Sequence, residues 1–193
     1  QGNSAHYDAV IEALESRGLK VIPAFAAGLD SRPAVHAFFM ERGEPIVDAV
    51  ISLTGFSLVG GPAYNDTDAA QELLQQLDVP YLSVQGLEFQ SLQDWEASSI
   101  GLMPVEATMM VAIPELDGAS GSMVFGGRSE TAAGEHCDMR PAVERIDRLA
   151  DRVARLVALR HAPIDQRKVG IVLFNFPPNS GAAGTAAHLS VFE

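Results

Sequence analysis

The sequence predicts an α/β fold of the Rossmann-like type, a doubly wound, mostly parallel sheet with helices on both faces. Segments of strand type alternate with segments of helix type along the chain, with a period of about thirty residues. Residues 46–53 form an apolar, partly β-branched run, which is typical of a strand buried on both faces of a parallel sheet. A glycine-rich loop and a helix follow this strand, which is the order of a βαβ unit.

The loop after this strand is the first candidate for a binding site. It contains Phe56 and the pair Gly60 and Gly61, and it ends in a capping cluster at 65–67 ahead of a helix that reaches residue 77. In open α/β sheets such a loop lies at the carboxyl edge, where ligands bind. The two glycines either let the backbone approach a ligand or only form a turn. The loop has neither G-x-G-x-x-G nor a P-loop motif, so it does not indicate a nucleotide site.

The remaining elements follow from helical spacing, capping residues and prolines. On the amino-terminal side we expect a helix over 6–16 closed by Gly18, a strand over 19–25 and a helix capped by Ser31. On the carboxyl-terminal side we expect a strand over 79–84, a helix capped by Ser91, a turn over 115–118, a short strand over 122–125, a mobile loop over 126–139, a helix over 141–160 and a strand over 168–176. Periodicity leaves 104–113 open between helix and strand; Pro104 favours a helix, which Pro114 would end.

The two ends of the chain suggest how it is divided. We expect residues 1–5 to be a cloning linker, residues 6–165 to form the α/β domain, and residues 166–193 to hold its last strand and the start of a following helix or domain. The last residues have the pattern of a helix that stops without a cap, directly after a glycine-rich turn. We therefore expect a piece cut from a longer protein.

Composition and charge exclude several classes of function. The chain has 193 residues, of which 25 are acidic and 13 basic, for a formal net charge of −12. This balance argues against a nucleic-acid partner and against electrostatic attachment to an anionic membrane. No apolar run approaches the roughly 20 residues of a transmembrane segment. Cys137 is the single cysteine, which excludes an internal disulfide and a cysteine metal cluster and fits a reducing, cytoplasmic setting without a signal peptide.

Few residues indicate chemistry by their local pattern. Glu106, Glu115 and Asp117 are carboxylates near prolines and a glycine turn, and paired carboxylates can bind Mg²⁺ or act as acid and base. The alternative, which the local pattern favours, is that Glu115 and Asp117 only make turn hydrogen bonds. His188 follows a glycine loop at the start of a helix, but a lone histidine is more often a packed or surface residue.

Three long blocks of the sequence have a distinctive pattern. They are ISLTGF with LVGGPAYND at 51–66, MPVEATMMVAIPELDGASGSMVFGGRS at 103–129 and VGIVLFNFPPNSGAAGTAAHLSVFE at 169–193. All three resemble the porphyrin-binding large subunit of magnesium chelatase. PAFAAGLD at 23–30 also fits, so the resemblance covers residues 6–193. VEATMMVAIPELDG and FGGRS are more similar to the bacteriochlorophyll version than to the plant one. The related cobaltochelatase large subunit is the alternative, and LVGGPAYND argues against it.

The resemblance implies a multi-subunit chelatase. Its substrates are Mg²⁺ and protoporphyrin IX, and it inserts the metal at the start of the (bacterio)chlorophyll branch. Its partners are two smaller subunits, an AAA+ ATPase and its adaptor, and ATP is hydrolysed on the ATPase subunit. The absence of a P-loop motif from this sequence agrees with that division of labour.

The same resemblance gives the candidate residues a role. Insertion must remove two porphyrin N–H protons and strip water from Mg²⁺, and carboxylates or a histidine suit both tasks. The candidate catalytic residues are Glu106, Glu115, Asp117, His188 and Glu193, with Glu115 and Asp117 as metal ligands. The candidate porphyrin-contacting residues are Phe56, Gly60, Gly61, Phe176, Asn179 and Thr185. A non-catalytic scaffold or docking domain is the alternative; convergence of these residues on one cleft would favour catalysis, and their dispersal would favour the scaffold.

Overall fold

A computed structural model describes residues 3–61, 63–130 and 136–170, with backbone alone at Glu130, His136 and Cys137. The chain divides into two units, residues 1–160 and residues 161–193. The helices are α1 (Ala5–Glu15), α2 (Arg32–Phe38), α3 (Thr67–Leu77), α4 (Leu92–Ala97), α5 (Pro104–Glu106), a π-helical turn (Ala107–Ala112), α6 (Ile113–Asp117), α7 (Val143–His161) and a 3₁₀ turn (Ile164–Gln166). The strands are β1 (Met40–Glu41), β2 (Glu44–Pro45), β3 (Val50–Ser52), β4 (Gly60–Gly61), β5 (Tyr64–Asn65), β6 (Tyr81–Ser91), β7 (Ser120–Glu130) and β8 (His136–Pro141).

The main sheet has four strands in the order β3-β6-β7-β8. Strands β3, β6 and β7 are parallel, and β8 pairs with β7 in the antiparallel direction. Two short antiparallel pairs, β1–β2 and β4–β5, lie outside this sheet. The predicted mostly parallel sheet is confirmed.

Helices cover both faces of the sheet, as the sequence predicts. Leu82 and Val84 of β6 point to one face and pack in a core cluster with residues of α1 and α7. Tyr81 points to the other face and packs in a second cluster with residues of α3. This alternation is the period-two pattern of a strand whose two faces are both buried.

Local capping explains why α3 and α4 begin where they do. Asp66 accepts a hydrogen bond from the backbone N–H of Ala69 at 3.1 Å, and Ser91 accepts one from Asp94 at 3.0 Å. Both caps satisfy backbone donors that the first helical turn leaves without partners. Ser31 precedes α2 as predicted, but its side chain makes no capping hydrogen bond.

Helix α7 confirms the helix predicted over 141–160, and it is amphipathic. Its apolar side buries Ile146, Leu149 and Val153, whereas Val143 at its first position is exposed. Glu144 and Arg148 form an ion pair one turn apart. Asp151 forms an ion pair at 2.6 Å with Arg17, which lies two residues after the end of α1. The segment that follows α1 is therefore joined to α7 by charge.

The segment over 104–117 is helical but irregular. The N–H of Ile113 donates to the carbonyl of Thr108, a five-residue step that defines the π turn. Pro114 was predicted to end the helix, and this prediction is wrong, because Pro114 lies at the start of α6. Proline lacks an N–H and its ring clashes with the carbonyl four residues earlier, and a widened turn upstream relieves both problems. The helix ends at Gly118, which has φ +111°.

Four further predictions differ from the structure in whole or in part. Residues 19–25 form no strand, although Leu19 and Val21 pack against the first core cluster. Residues 46–53 were predicted as one strand, but only Val50–Ser52 (β3) form a paired strand. The mobile loop predicted over 126–139 is wrong, because the described residues there belong to the β7–β8 hairpin. Residues 168–170 are not in a strand, and the rest of the strand predicted to end at 176 lies outside the described residues.

Candidate functional site

The backbone of the β3–α3 loop requires a glycine at the first position of the pair Gly60 and Gly61. Gly60 has φ +132°, and a Cβ atom there would lie 2.4 Å from the carbonyl oxygen of Tyr64. A Cβ atom on Gly61 would lie 2.9 Å from Cδ1 of Leu29. The Gly60 contact is with backbone at a positive φ, so the β4–β5 hairpin accounts for Gly60 without a ligand. The Gly61 contact is with the flexible end of exposed Leu29, which can shift to make room.

A cavity of about 110 Å³ lies where the sequence predicts a site, at the carboxyl end of β3. Its lining includes Thr54 and Phe56 from the loop after β3, Gly86, Glu88 and Phe89 from β6, and Met110 from the π turn. Leu53 after β3, His6 and Tyr7 of α1, and Met139 of β8 complete it. The lining therefore combines apolar and aromatic side chains with exposed polar groups. Among the predicted site residues that the structure describes, Phe56 alone lies in it.

His6 is the residue of this cavity that sequence reasoning missed. It is 2% exposed, and its Nδ1 atom has no hydrogen-bond partner among the described residues. Its ring lies 3.9 Å from that of Tyr7 and stacks on Phe125 at 5.5 Å. A signal was available, because His6, Val10 and Leu14 are spaced four residues apart on one helix face, and both apolar residues are core.

Burial lowers the pKa of His6 below its usual value, and the negative charges of Asp8 and Glu88 only partly oppose this shift. The ring is therefore neutral at neutral pH. A neutral imidazole has one nitrogen that can accept a hydrogen bond.

Asp117 lies at the other end of the sheet, at the foot of β7. Its side chain is 1% exposed; one oxygen accepts a hydrogen bond from the backbone N–H of Leu58 at 3.0 Å, and the other has no partner among the described residues. Burial raises the pKa of Asp117, and the nearby hydroxyl of Ser57 and the N–H of Leu58 partly oppose this shift. Asp117 and Tyr81 also line an open groove of about 570 Å³ at the amino end of β6 and β7.

Glu106 is a fully buried capping residue. One of its carboxylate oxygens accepts hydrogen bonds from the backbone N–H of Met103, at 2.9 Å, and from the side chain of Gln90. The first bond closes the amino end of α5. The other oxygen has no partner among the described residues. The structure thus explains the position of Glu106 by its helix cap.

The structure does not bring Glu115 and Asp117 together as a metal-binding pair. They are two residues apart on α6, so they face different sides of the helix, and Glu115 is exposed while Asp117 is buried. Over 3–61, 63–130 and 136–170, no group of three or more His, Cys, Asp or Glu residues is arranged to hold a metal ion. The remaining predicted residues, Phe176, Asn179, Thr185, His188 and Glu193, lie outside the described part.

An open α/β sheet with an aromatic-lined cavity at its carboxyl edge defines the class, an α/β domain whose candidate binding site lies where such sheets bind ligands. The family model described as CobN/Magnesium Chelatase matches residues 1–193. The chain belongs to this family.

Three comparisons show where the similarity lies. The chain is 53% identical to the magnesium-chelatase H subunit of Rhodobacter capsulatus, over 99% of this chain and 17% of that protein. It is 42% identical to the chloroplastic magnesium-chelatase protein ChlH of Oryza sativa subsp. indica, over 100% of this chain and 14% of that protein. The solved catalytic subunit of cobaltochelatase from Mycobacterium tuberculosis superposes with a TM-score of 0.61 at 28% identity, covering 83% of this chain and 14% of that one. The chain therefore spans less than a fifth of these relatives.

None of the helices in the described part is long and apolar enough to cross a membrane.

Proposed function

We propose that this chain is a segment of the porphyrin-binding subunit of a magnesium chelatase, which inserts Mg²⁺ into protoporphyrin IX in (bacterio)chlorophyll synthesis. The observation that carries this proposal is the 53% identity to a magnesium-chelatase H subunit over almost the whole chain. The cobaltochelatase alternative has weaker support, at 28% identity to the solved catalytic subunit.

The proposal extends to substrates, partners and location. The complete protein works with two smaller subunits, an AAA+ ATPase that hydrolyses ATP and an adaptor, in the cytoplasm. A basic face on a partner subunit would suit the net charge of −12. Mg²⁺ and the porphyrin are substrates, so neither needs a permanent site in this segment.

The candidate residues suit different steps of the reaction. An exposed carboxylate such as Glu115 can take part in replacing water on Mg²⁺. Asp117, with its raised pKa, suits proton transfer better than permanent metal binding. Phe56 lies in the cavity, where it can contact a flat macrocycle.

A specific observation favours the second candidate, a scaffold role for most of this segment. Phe56 lies at the carboxyl end of the sheet, Asp117 at its amino end, and Glu106 inside a helix cap. Residues so dispersed do not form one reaction centre. The cavity is then the part of this segment that meets the substrate, and residues 1–193 alone insert no metal.

The test is metal insertion by the full-length protein that contains this segment. The protein, its two smaller subunits, ATP, Mg²⁺ and a porphyrin are mixed, and the fluorescence of the magnesium porphyrin is followed. We expect insertion that depends on ATP and on both subunits. Insertion of Co²⁺ without insertion of Mg²⁺ would favour the cobaltochelatase alternative. Insertion of neither metal would refute the proposal.

A further inference from the structure

The cavity at the carboxyl end of β3 is too small for a whole macrocycle. Pockets that enclose a complete ligand measure roughly 300–1,000 Å³, whereas this cavity measures about 110 Å³. It has room for a substituent of a few atoms. A larger ligand would rest at its mouth and insert one edge.

The mouth of the cavity presents exposed aromatic rings. Tyr7 is 41% exposed and Phe89 is 51% exposed, and both line the cavity. Large aromatic side chains at a cavity mouth offer flat surfaces on which a conjugated ring can stack. The buried part of the lining contains Met110 and the ring of His6, which stacks on the buried ring of Phe125.

The charge in the lining of the cavity is negative. Glu88 is an exposed carboxylate in the lining, and no lysine or arginine of the described residues lines the cavity. His6 adds no positive charge at neutral pH, because its burial lowers its pKa. A carboxylate entering here would lose water and meet a like charge, and both effects are unfavourable.

We propose that this cavity binds the uncharged, apolar edge of a conjugated macrocycle and rejects edges that bear carboxylates. This inference rests on the proposed function and deepens it. Protoporphyrin IX carries two vinyl groups on one half and two propionates on the other. The cavity then takes a vinyl-bearing edge, and the propionates point away from Glu88.

The test uses the full-length protein and three porphyrins that differ at the vinyl positions. These are protoporphyrin IX, deuteroporphyrin IX with hydrogens there, and coproporphyrin III with propionates there. A vinyl group that enters the cavity is expected to improve affinity about fifteenfold over hydrogen, at about fourfold for each of its two buried carbons. Coproporphyrin III is expected to bind more weakly than both others. Dissociation constants come from porphyrin fluorescence.

Two variants probe the cavity directly. Gly86→Val adds a branched side chain to the lining, at a position where a Cβ would lie 2.9 Å from the flexible end of Met139, so it changes the shape of the cavity. This variant should reduce the preference for protoporphyrin over deuteroporphyrin to about twofold or less. Glu88→Lys changes an exposed side chain and should tighten coproporphyrin binding severalfold. Glu72→Lys makes the same charge change on exposed α3 and should leave all three affinities unchanged.

The outcomes separate this inference from the proposed function. The inference alone would be overturned if wild-type protein inserts Mg²⁺ but binds protoporphyrin IX no more tightly than deuteroporphyrin IX. It would also be overturned if Gly86→Val and Glu88→Lys leave the porphyrin affinities unaltered. If Gly86→Val fails to fold, the response of coproporphyrin to Glu88→Lys decides. Wild-type protein that neither binds a porphyrin nor supports insertion would overturn both.

Discussion

The backbone N–H of Leu58 donates to a buried carboxylate oxygen of Asp117, 59 residues further along the chain, at 3.0 Å. This bond joins the loop after β3 to the end of α6. It holds the loop at Leu58, whereas Thr54 and Phe56 of the same loop line the cavity. Asp117 was predicted as catalytic, and this hydrogen bond gives it a structural contact that accounts for its burial.

The first prediction concerns removal of this contact. Asp117→Ala leaves the Leu58 N–H without an acceptor in a buried site, which should lower the free energy of unfolding by about 2 kcal/mol. Asp117→Asn keeps an acceptor oxygen and should cost less. Urea unfolding of the 193-residue chain measures both. Equal losses in the two variants would show that the hydrogen bond is not what Asp117 contributes.

The same residue predicts a dependence on pH. Its pKa is raised in the folded state, so the folded protein favours the protonated form. Its stabilising contribution is complete below the unfolded pKa of about 3.9 and is lost as pH rises through the folded pKa. Asp117→Asn cannot ionise, so its stability relative to wild type should increase with pH over this window. Unfolding series from about pH 4 to 7 test this, and a constant difference would contradict it.

The next prediction separates the two roles considered for the glycine pair. Gly60→Ala places a Cβ against the Tyr64 carbonyl at a positive φ, and such strain should cost about 1–3 kcal/mol. Gly28→Ala is the matched control, because no atom lies within 4 Å of the added Cβ and its φ is not positive. Urea unfolding compares them. Loss of porphyrin binding by Gly60→Ala with no loss of stability would instead support a ligand contact.

The parts of the fold that the sequence predicted are those set by local interactions. Helix α3 and helix α4 begin at Asp66 and Ser91 because each residue caps its own first turn. Helix α7 shows its apolar period along one continuous stretch. Whether a segment joins a sheet depends on a neighbour distant in sequence. Residues 19–25 have strand composition without pairing, and polar residues 126–139 contain paired strands.

The candidate site shows the same limit. Phe56 was predicted correctly to lie at the carboxyl end of β3, because the strand-loop-helix order places it there. His6 lines the same cavity from α1. Its spacing with Val10 and Leu14 indicates that it is buried, but no local motif predicts that it lines this cavity. Glu115 and Asp117 look like a pair in sequence, but a helix turns them apart. The π turn at 107–112 keeps this helix continuous past Pro114, which propensity alone does not predict.

Another prediction tests whether Glu106 is a structural residue. Glu106→Ala removes the acceptor for both the Met103 N–H and the Gln90 amide, so it should cost about 2–4 kcal/mol. A double-mutant cycle with Gln90→Ala should show a coupling of about 1 kcal/mol or more. Urea unfolding gives the stabilities. A stable Glu106→Ala variant whose full-length form fails to insert Mg²⁺ would restore the catalytic interpretation.

The last prediction concerns His6, whose burial lowers its pKa in the folded state. Below about pH 6.5 the His6 imidazole takes up a proton in the unfolded chain but not in the folded one. The free energy of unfolding that His6 contributes above this pH is therefore lost as pH falls. His6→Phe keeps an aromatic ring against Tyr7 and Phe125 and removes the nitrogen, so the loss should be smaller in this variant. Urea unfolding at about pH 7.5, 6.5 and 5.5 measures it, with exposed His36→Gln as the control. If wild type and His6→Phe lose stability equally over this range, the imidazole is not the group responsible.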